Sequence, residues 1–260
     1  MAIIVGGGAA ATPAQALPPS NPCDAWMVMI GVRGTGAPAG SNPGPGGRVW
    51  RSGGMGDFVT SIANGVDTNA PDALQGMYRV SLNYPATATV NPIDSSGAYI
   101  NSRNAGVAAL KAELQYYASC ARPPSVTLIG YSQGADVIGT ALGQVSQSIR
   151  SRVQAAVLLG DPSYRANQPI NAPGLNPGGS GMFSQTRTDA IQNALNGMTS
   201  YGWNADTQSM GTRQHVREYC LYGDAACQNQ IATGWNIHGQ YGAWVNAATN
   251  YINNVVLDIG

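Results

Sequence analysis

The chain has 260 residues, of which 43% are apolar and only 10% charged, and its 13 basic side chains balance 13 acidic ones. That length suits one large domain with a substantial core, and the absence of net charge gives no field to steer a polyanion, which excludes a nucleic-acid binder of the basic kind. Gly, Ser, Asn, Thr and Gln supply the polar surface that charge does not, a composition suited to an extracellular protein.

Residues 1–16 hold a short apolar stretch and then Ala14-Gln15-Ala16, an A-x-A cleavage pattern, with no charged leader before it. They read as a truncated signal peptide or as a disordered tail, and either way are too short to span a bilayer. No later segment offers about twenty consecutive apolar residues, so the mature protein is expected to be secreted, soluble and not inserted in a membrane. The rest, residues 17–260, is expected to form one domain.

The continuous apolar run at 26–32 reads as a strand buried on both faces. A Gly/Pro-rich loop follows to about residue 47. A short helix is expected at 55–65, and a second strand at 78–84, stopped by Pro85. Val107, Leu110, Leu114 and Tyr117 recur at intervals of three and four, which predicts a helix over 101–119. A strand at 125–130, a helix at 134–149 and a strand at 153–160 come next. Residues 163–213 are rich in Gly, Asn and Pro and read as an irregular insertion. Within it, Ala190, Ile191, Ala194, Leu195 and Met198 fall on one helical face. A last strand at 216–221 and a helix over about 240–256 close the chain. Strands alternating with helices predict a mostly parallel sheet covered by helices on both faces.

Four cysteines, Cys23, Cys120, Cys220 and Cys227, allow three disulfide connectivities. Cys220 and Cys227 bracket a short loop and are expected to pair, which leaves Cys23 for Cys120. No C-x-x-C pair is present and both histidines have better uses, so no zinc site is expected, and the serine chemistry read below implies no metal or cofactor.

Gly130-Tyr131-Ser132-Gln133-Gly134 is a G-x-S-x-G motif placed between an expected strand and an expected helix. In that context the tight turn lifts the serine hydroxyl to the carboxyl end of the sheet, where the following helix offers N–H groups to an oxyanion. Serine needs a base to become a good nucleophile. Of the two histidines, His238 lies in a late loop before the last helix, the expected place for that base. His215 opens a strand and reads as a partly exposed strand-end residue. An acid should fall between serine and histidine in the chain, and both Asp161 and Asp224 do. Asp224 sits inside the loop that Cys220 and Cys227 would staple, which favours it. Asp161 precedes a proline and could equally serve a turn.

These pieces resemble the cutinase family of serine esterases. The resemblance rests on Cys23-Asp24 before a strand and on Arg33-Gly34-Thr35-Gly36. It continues through the serine motif followed by Ala135, Gly160-Asp161-Pro162, Tyr219-Cys220 with Gly223-Asp224 and Cys227, and His238 with Tyr241. It implies a single α/β-hydrolase domain without a large cap, and a triad of Ser132, Asp224 and His238. It implies an oxyanion hole from the Thr35 N–H and hydroxyl and the Gln133 N–H, and the same two disulfides. Substrates would be esters of cutin, other polyesters, triglycerides or acetylated xylan, so the expected partner is an ester, polymeric or lipid, met by a monomer. The 163–213 insertion departs from compact members. The mycolate esterases of mycobacterial phages carry insertions near there, so esters of mycolyl or acetyl groups on cell-wall polysaccharide form a second reading. An inactive binding module on a hydrolase scaffold forms a third. The insertion is expected to act as a flap, with Ile191, Leu195 and Met198 turned toward a lipid or polymer.

Overall fold

The computed structural model describes residues 21–40, 42–43, 49–69, 77–87 and 97–256. The leader or tail expected at 1–16, and parts of the Gly/Pro-rich loop, lie outside these residues. Seven strands form one sheet: β1 (Met27–Val32), β2 (Asn42–Pro43), β3 (Val49–Ser52), β4 (Met77–Leu82), β5 (Ser125–Tyr131), β6 (Val153–Leu159) and β9 (Val216–Tyr219), in the order β2-β3-β4-β1-β5-β6-β9. The run from β4 to β9 is parallel, and β2 and β3 add an antiparallel edge. The fold is the mostly parallel α/β architecture read from the sequence.

Strand alternation explains why β1 is apolar throughout. Val28, Ile30 and Val32 enter the core under α2 (Ala98–Ala118) and α3 (Gln133–Gln144), while Met27 and Met29 enter the core under α1 (Asp57–Asn69) and α7 (Val245–Val256). Each such side chain contributes roughly 1.5–3 kcal/mol by leaving water. The four residues that predicted α2 are buried as their spacing requires.

The structure corrects several boundaries. The helix expected over 134–149 breaks after Gln144, and a short α4 (Gln147–Arg150) follows. The last helix is preceded by a 3-10 turn, Tyr241–Trp244. Residues 163–213 are more regular than their composition suggests, with α5 (Asp189–Asn196) and a two-stranded hairpin of β7 (Thr199–Asn204) and β8 (Ser209–Gln214). Thr188 caps α5 by accepting from the Ile191 N–H.

The apolar face expected to meet a lipid is already used. Ile191, Leu195 and Met198 are buried in the same core as Leu142 and Val145, and Gly143 of α3 provides the gap that Ile191 fills. The segment is held as a packed layer against α3, because burying those side chains outweighs the gain from leaving them at a free surface.

Candidate active site

Ser132 occupies the turn between β5 and α3 with φ 53° and ψ −121°, a backbone conformation that a residue with a Cβ rarely adopts. The surrounding chain enforces it. The Ser132 N–H donates to the Leu159 carbonyl at 2.8 Å, and its own carbonyl accepts from Ala135 at 2.9 Å. Gly134 lies so close to the carbonyls of Val32 and Arg33 that any Cβ there would collide with backbone. The turn is therefore pressed against the end of β1, where the chain runs through Arg33 and Gly34 to Thr35.

His238 ends the short α6 (Trp235–His238), fixed by its N–H to the Gly234 carbonyl at 2.9 Å. Its Nε2 lies 2.9 Å from Ser132 Oγ. Its Nδ1 lies 2.8 Å and 3.0 Å from the two oxygens of Asp224. Asp224 is fully buried in the loop between β9 and α6. Its Oδ1 accepts from the N–H groups of Ala226 and Cys227 at 2.6 and 2.9 Å, and its Oδ2 accepts from the Tyr241 hydroxyl at 2.8 Å. Burial alone would raise the Asp224 pKa, but the histidine and these donors outweigh it and hold the carboxyl below its ordinary value. An ionised Asp224 requires the proton on Nδ1, which leaves the Nε2 lone pair facing the serine.

Cysteines 220 and 227 are joined, as are Cys23 and Cys120. The first bridge spans the loop that carries Asp224. Gln133 opens α3 directly after Ser132, and its buried side chain accepts from Ser102 Oγ at 2.8 Å. Thr35 is exposed in the turn just after β1. Arg33 anchors that turn, donating to the carbonyls of Ala37 at 2.9 Å, Leu82 at 3.0 Å and Tyr84.

The structure brings Ser132, His238 and Asp224 into one hydrogen-bonded line and leaves the two alternatives elsewhere. Asp161 is fully buried, accepts from the Ser163 N–H at 2.7 Å and pairs with Arg187. The turn role read for it is present, together with an ion pair. His215 is buried rather than partly exposed. Its Nε2 lies 2.8 Å from Ser200 Oγ, and burial lowers its pKa. Among the described residues, no group of three His, Cys, Asp or Glu is arranged to hold a metal ion, and no helix is long and apolar enough to cross a membrane.

The contacts of three aromatic side chains around His238 escaped the sequence reading, although Tyr131 and Tyr241 stood within its motifs. Tyr131 stacks on the imidazole at 5.0 Å and donates its hydroxyl to the His238 carbonyl at 2.7 Å. Trp235 meets the ring edge-on at 5.6 Å, and Tyr241 holds the carboxylate. The middle position of Gly130-Tyr131-Ser132, and the tyrosine three residues after His238, were the only available signals. Gly160, with φ 59°, packs directly on the imidazole, and an added Cβ would meet His238.

Comparison with known proteins gives a consistent picture. The cutinase family model matches residues 48–256. Acetylxylan esterase 2 of Talaromyces purpureogenus is 28% identical over 179 residues, which is 64% of this chain and 68% of that protein. A solved acetylxylan esterase superposes with a TM-score of 0.60 at 21% identity, covering 89% of this chain and 98% of that one. A cutinase-like protein from Cryptococcus sp. gives 0.60 at 17% identity, covering 88% and 94%.

Proposed function

Because the chain belongs to the cutinase family and is a carboxylic ester hydrolase, we propose that it is a secreted serine esterase whose triad is Ser132, His238 and Asp224. The observation that carries this reading is the unbroken line from a buried carboxylate, through both nitrogens of one imidazole, to a serine held at positive φ.

In the first half-reaction His238 Nε2 takes the Ser132 proton as Oγ adds to the ester carbonyl carbon. The resulting oxyanion lies against the Gln133 N–H at the start of α3 and against Thr35. Collapse breaks the C–O bond to the alcohol, which leaves with the proton from His238. Water then adds to the acyl-enzyme, giving its proton to His238, and the acid departs as Ser132 Oγ regains that proton. Asp224 stabilises the imidazolium in both halves. Two disulfides support an oxidising, extracellular setting.

The acyl group can be that of a lipid or polyester, or a short acyl group carried on a polysaccharide. The relative named acetylxylan esterase 2 supports the second. A fluorophosphonate should label the wild-type enzyme at Ser132 and leave Ser132→Ala unlabelled. A series of p-nitrophenyl esters from acetate to palmitate then ranks the acyl groups. Label elsewhere, or full turnover by Ser132→Ala, would remove the nucleophile assignment. An unlabelled, inactive wild type would favour the binding-module reading.

A further inference from the structure

Away from Ser132, a cavity of about 240 Å³ opens at the β9 edge of the sheet, between β9, the 3-10 turn and α7 on one side and the β7–β8 hairpin on the other. None of Ser132, His238 or Asp224 lines it. Its walls alternate rings with planar polar groups. Trp203 of the hairpin borders it and is 40% exposed. Trp244 faces it from the 3-10 turn and lies 6.3 Å from the ring of Tyr219.

The polar side of the cavity is built into the fold. Arg217 projects from β9 on the α7 face, stacks over Tyr251 at 4.8 Å and binds Asp206 of the hairpin turn at 2.5 Å. The arginine is 9% exposed at its side chain and the aspartate 38%, so the pair presents a fixed carboxylate to the opening. The Arg213 side chain is turned to Ser200 Oγ and the Asn254 carbonyl, which removes it as a free anion site. Asn250, exposed on α7, adds an amide.

This combination selects a ligand class. A purely apolar ligand would cut the half-exposed Asp206 carboxylate and the Asn250 amide off from water without replacing the hydrogen bonds lost. A phosphate or other strong anion would meet an arginine already neutralised by Asp206. A sugar ring satisfies both kinds of wall. Its C–H faces lie on indole rings, and its hydroxyls both donate to carboxylate and amide oxygens and accept from amide N–H groups. The hairpin continues the theme outward. Tyr201 and Met210 are exposed at 74% and 58%, and by strand alternation and pairing they share the face of Trp203. Exposed apolar side chains grouped in this way mark a contact surface.

We propose that this cavity is a second binding site that holds a neutral polysaccharide, with one sugar ring between Trp203 and Trp244. The site does not depend on the ester chemistry at Ser132. It would keep the enzyme on a glycan surface while the triad works.

The test uses neutral hexasaccharides of xylose, arabinose and glucose that carry no ester, titrated calorimetrically into the intact, disulfide-bonded protein up to about 10 mM, a range that reaches millimolar Kd. At least one should bind. Trp203→Ala should weaken that binding by about tenfold or more, as loss of a stacking anchor does, and Asn250→Ala should weaken it less. Both variants should hydrolyse p-nitrophenyl acetate at the wild-type rate. Binding should persist after Ser132 has been capped with a fluorophosphonate. The proposal fails if no hexasaccharide binds, if Trp203→Ala binds as tightly as wild type, or if capping Ser132 abolishes binding, since that places the sugar at the triad. Failure of Ser132 to label, with sugar binding intact, would instead count against the esterase reading alone.

Discussion

Two buried aspartates follow the carboxyl ends of neighbouring strands, Asp161 after β6 and Asp224 after β9, and they have opposite fates. Asp224 meets an imidazole whose far nitrogen faces Ser132. Asp161 meets Arg187, which also donates to Glu218 at 2.9 Å, so the charge closes on itself. Nearby, Asp136 of α3 accepts from Ser163 Oγ at 2.8 Å and from Tyr99 at 3.1 Å. Burial raises the pKa of Asp161, with Arg187 opposing and Asp136 adding to the rise, whereas Asp224 is lowered. Burial is common to both and distinguishes nothing. The partner decides: an imidazole can pass a proton at neutral pH, and a guanidinium cannot. One cluster is therefore suited to chemistry, and the other fastens the inserted segment that carries Arg187 to α3 and β9.

The sharpest way to break this contrast is to neutralise each aspartate in turn. Asp224→Asn should lower kcat by about 10³–10⁴-fold with little change in folding, because the imidazole loses its tautomer and its counter-charge. Asp161→Asn should keep kcat near wild type and lose about 3–5 kcal/mol of stability, since it leaves a buried arginine half-paired. Steady-state kinetics and urea unfolding on both variants decide it; a larger kcat loss in Asp161→Asn would reverse the assignment.

A smaller effect separates the two bridges. Chain entropy gives about 4.7 kcal/mol for closing a loop as long as that between Cys23 and Cys120, and about 2.5 kcal/mol for the short loop between Cys220 and Cys227. Replacing the first pair by serine should cost more stability and leave kcat intact. Replacing the second should cost less stability yet lower kcat, because that loop holds Asp224. Equal kcat in the two double variants would show that the Asp224 loop needs no staple.

The smallest effect concerns pH. Burial, with help from Asp161 and against the pull of Arg187, pushes Glu218 from 4.5 up to about 8. The unfolded chain then releases this proton at lower pH than the folded one, so stability should fall as pH rises from about 4.5 to 8. Asp224 works in the opposite sense. Its contribution is present above its ordinary value of 3.8 and is lost as pH falls through its lowered folded value. Glu218→Gln should therefore flatten the decline of Tm between pH 5 and 8, by about 2–4 °C for each kcal/mol of pH-dependent stability removed. A decline as steep as that of wild type would mean that Glu218 is ionised in the folded protein.

The strands β1, β5 and β6 and the helix α2 were legible because continuous runs and helical spacing reflect burial directly. The serine turn was legible because strand, G-x-S-x-G and helix occur together. The β7–β8 hairpin was not, because its most prominent side chains, Tyr201, Trp203 and Met210, face solvent and so give no core pattern. The role of Arg187 was equally hidden, since its partners lie 26 and 31 residues away in sequence and only the fold joins them. The direction of the Ile191 face was misread for a related reason: an amphipathic pattern states that a face is covered, and not by what.

The sequence separation of 106 between Ser132 and His238 has a consequence for assembly. The serine turn draws on β5, α3, the end of β1 and the Leu159 carbonyl of β6, all of which precede the inserted segment. His238 follows β9 in the chain, on α6, where its carbonyl accepts from the Tyr131 hydroxyl. A chain cut between α5 and α6 would lack His238 and, with α7, one of the two helices that cover the Met27 and Met29 side of the sheet. With Ser132 and His238 acting together as proposed, hydrolysis needs segments of the chain from both sides of the 163–213 insertion.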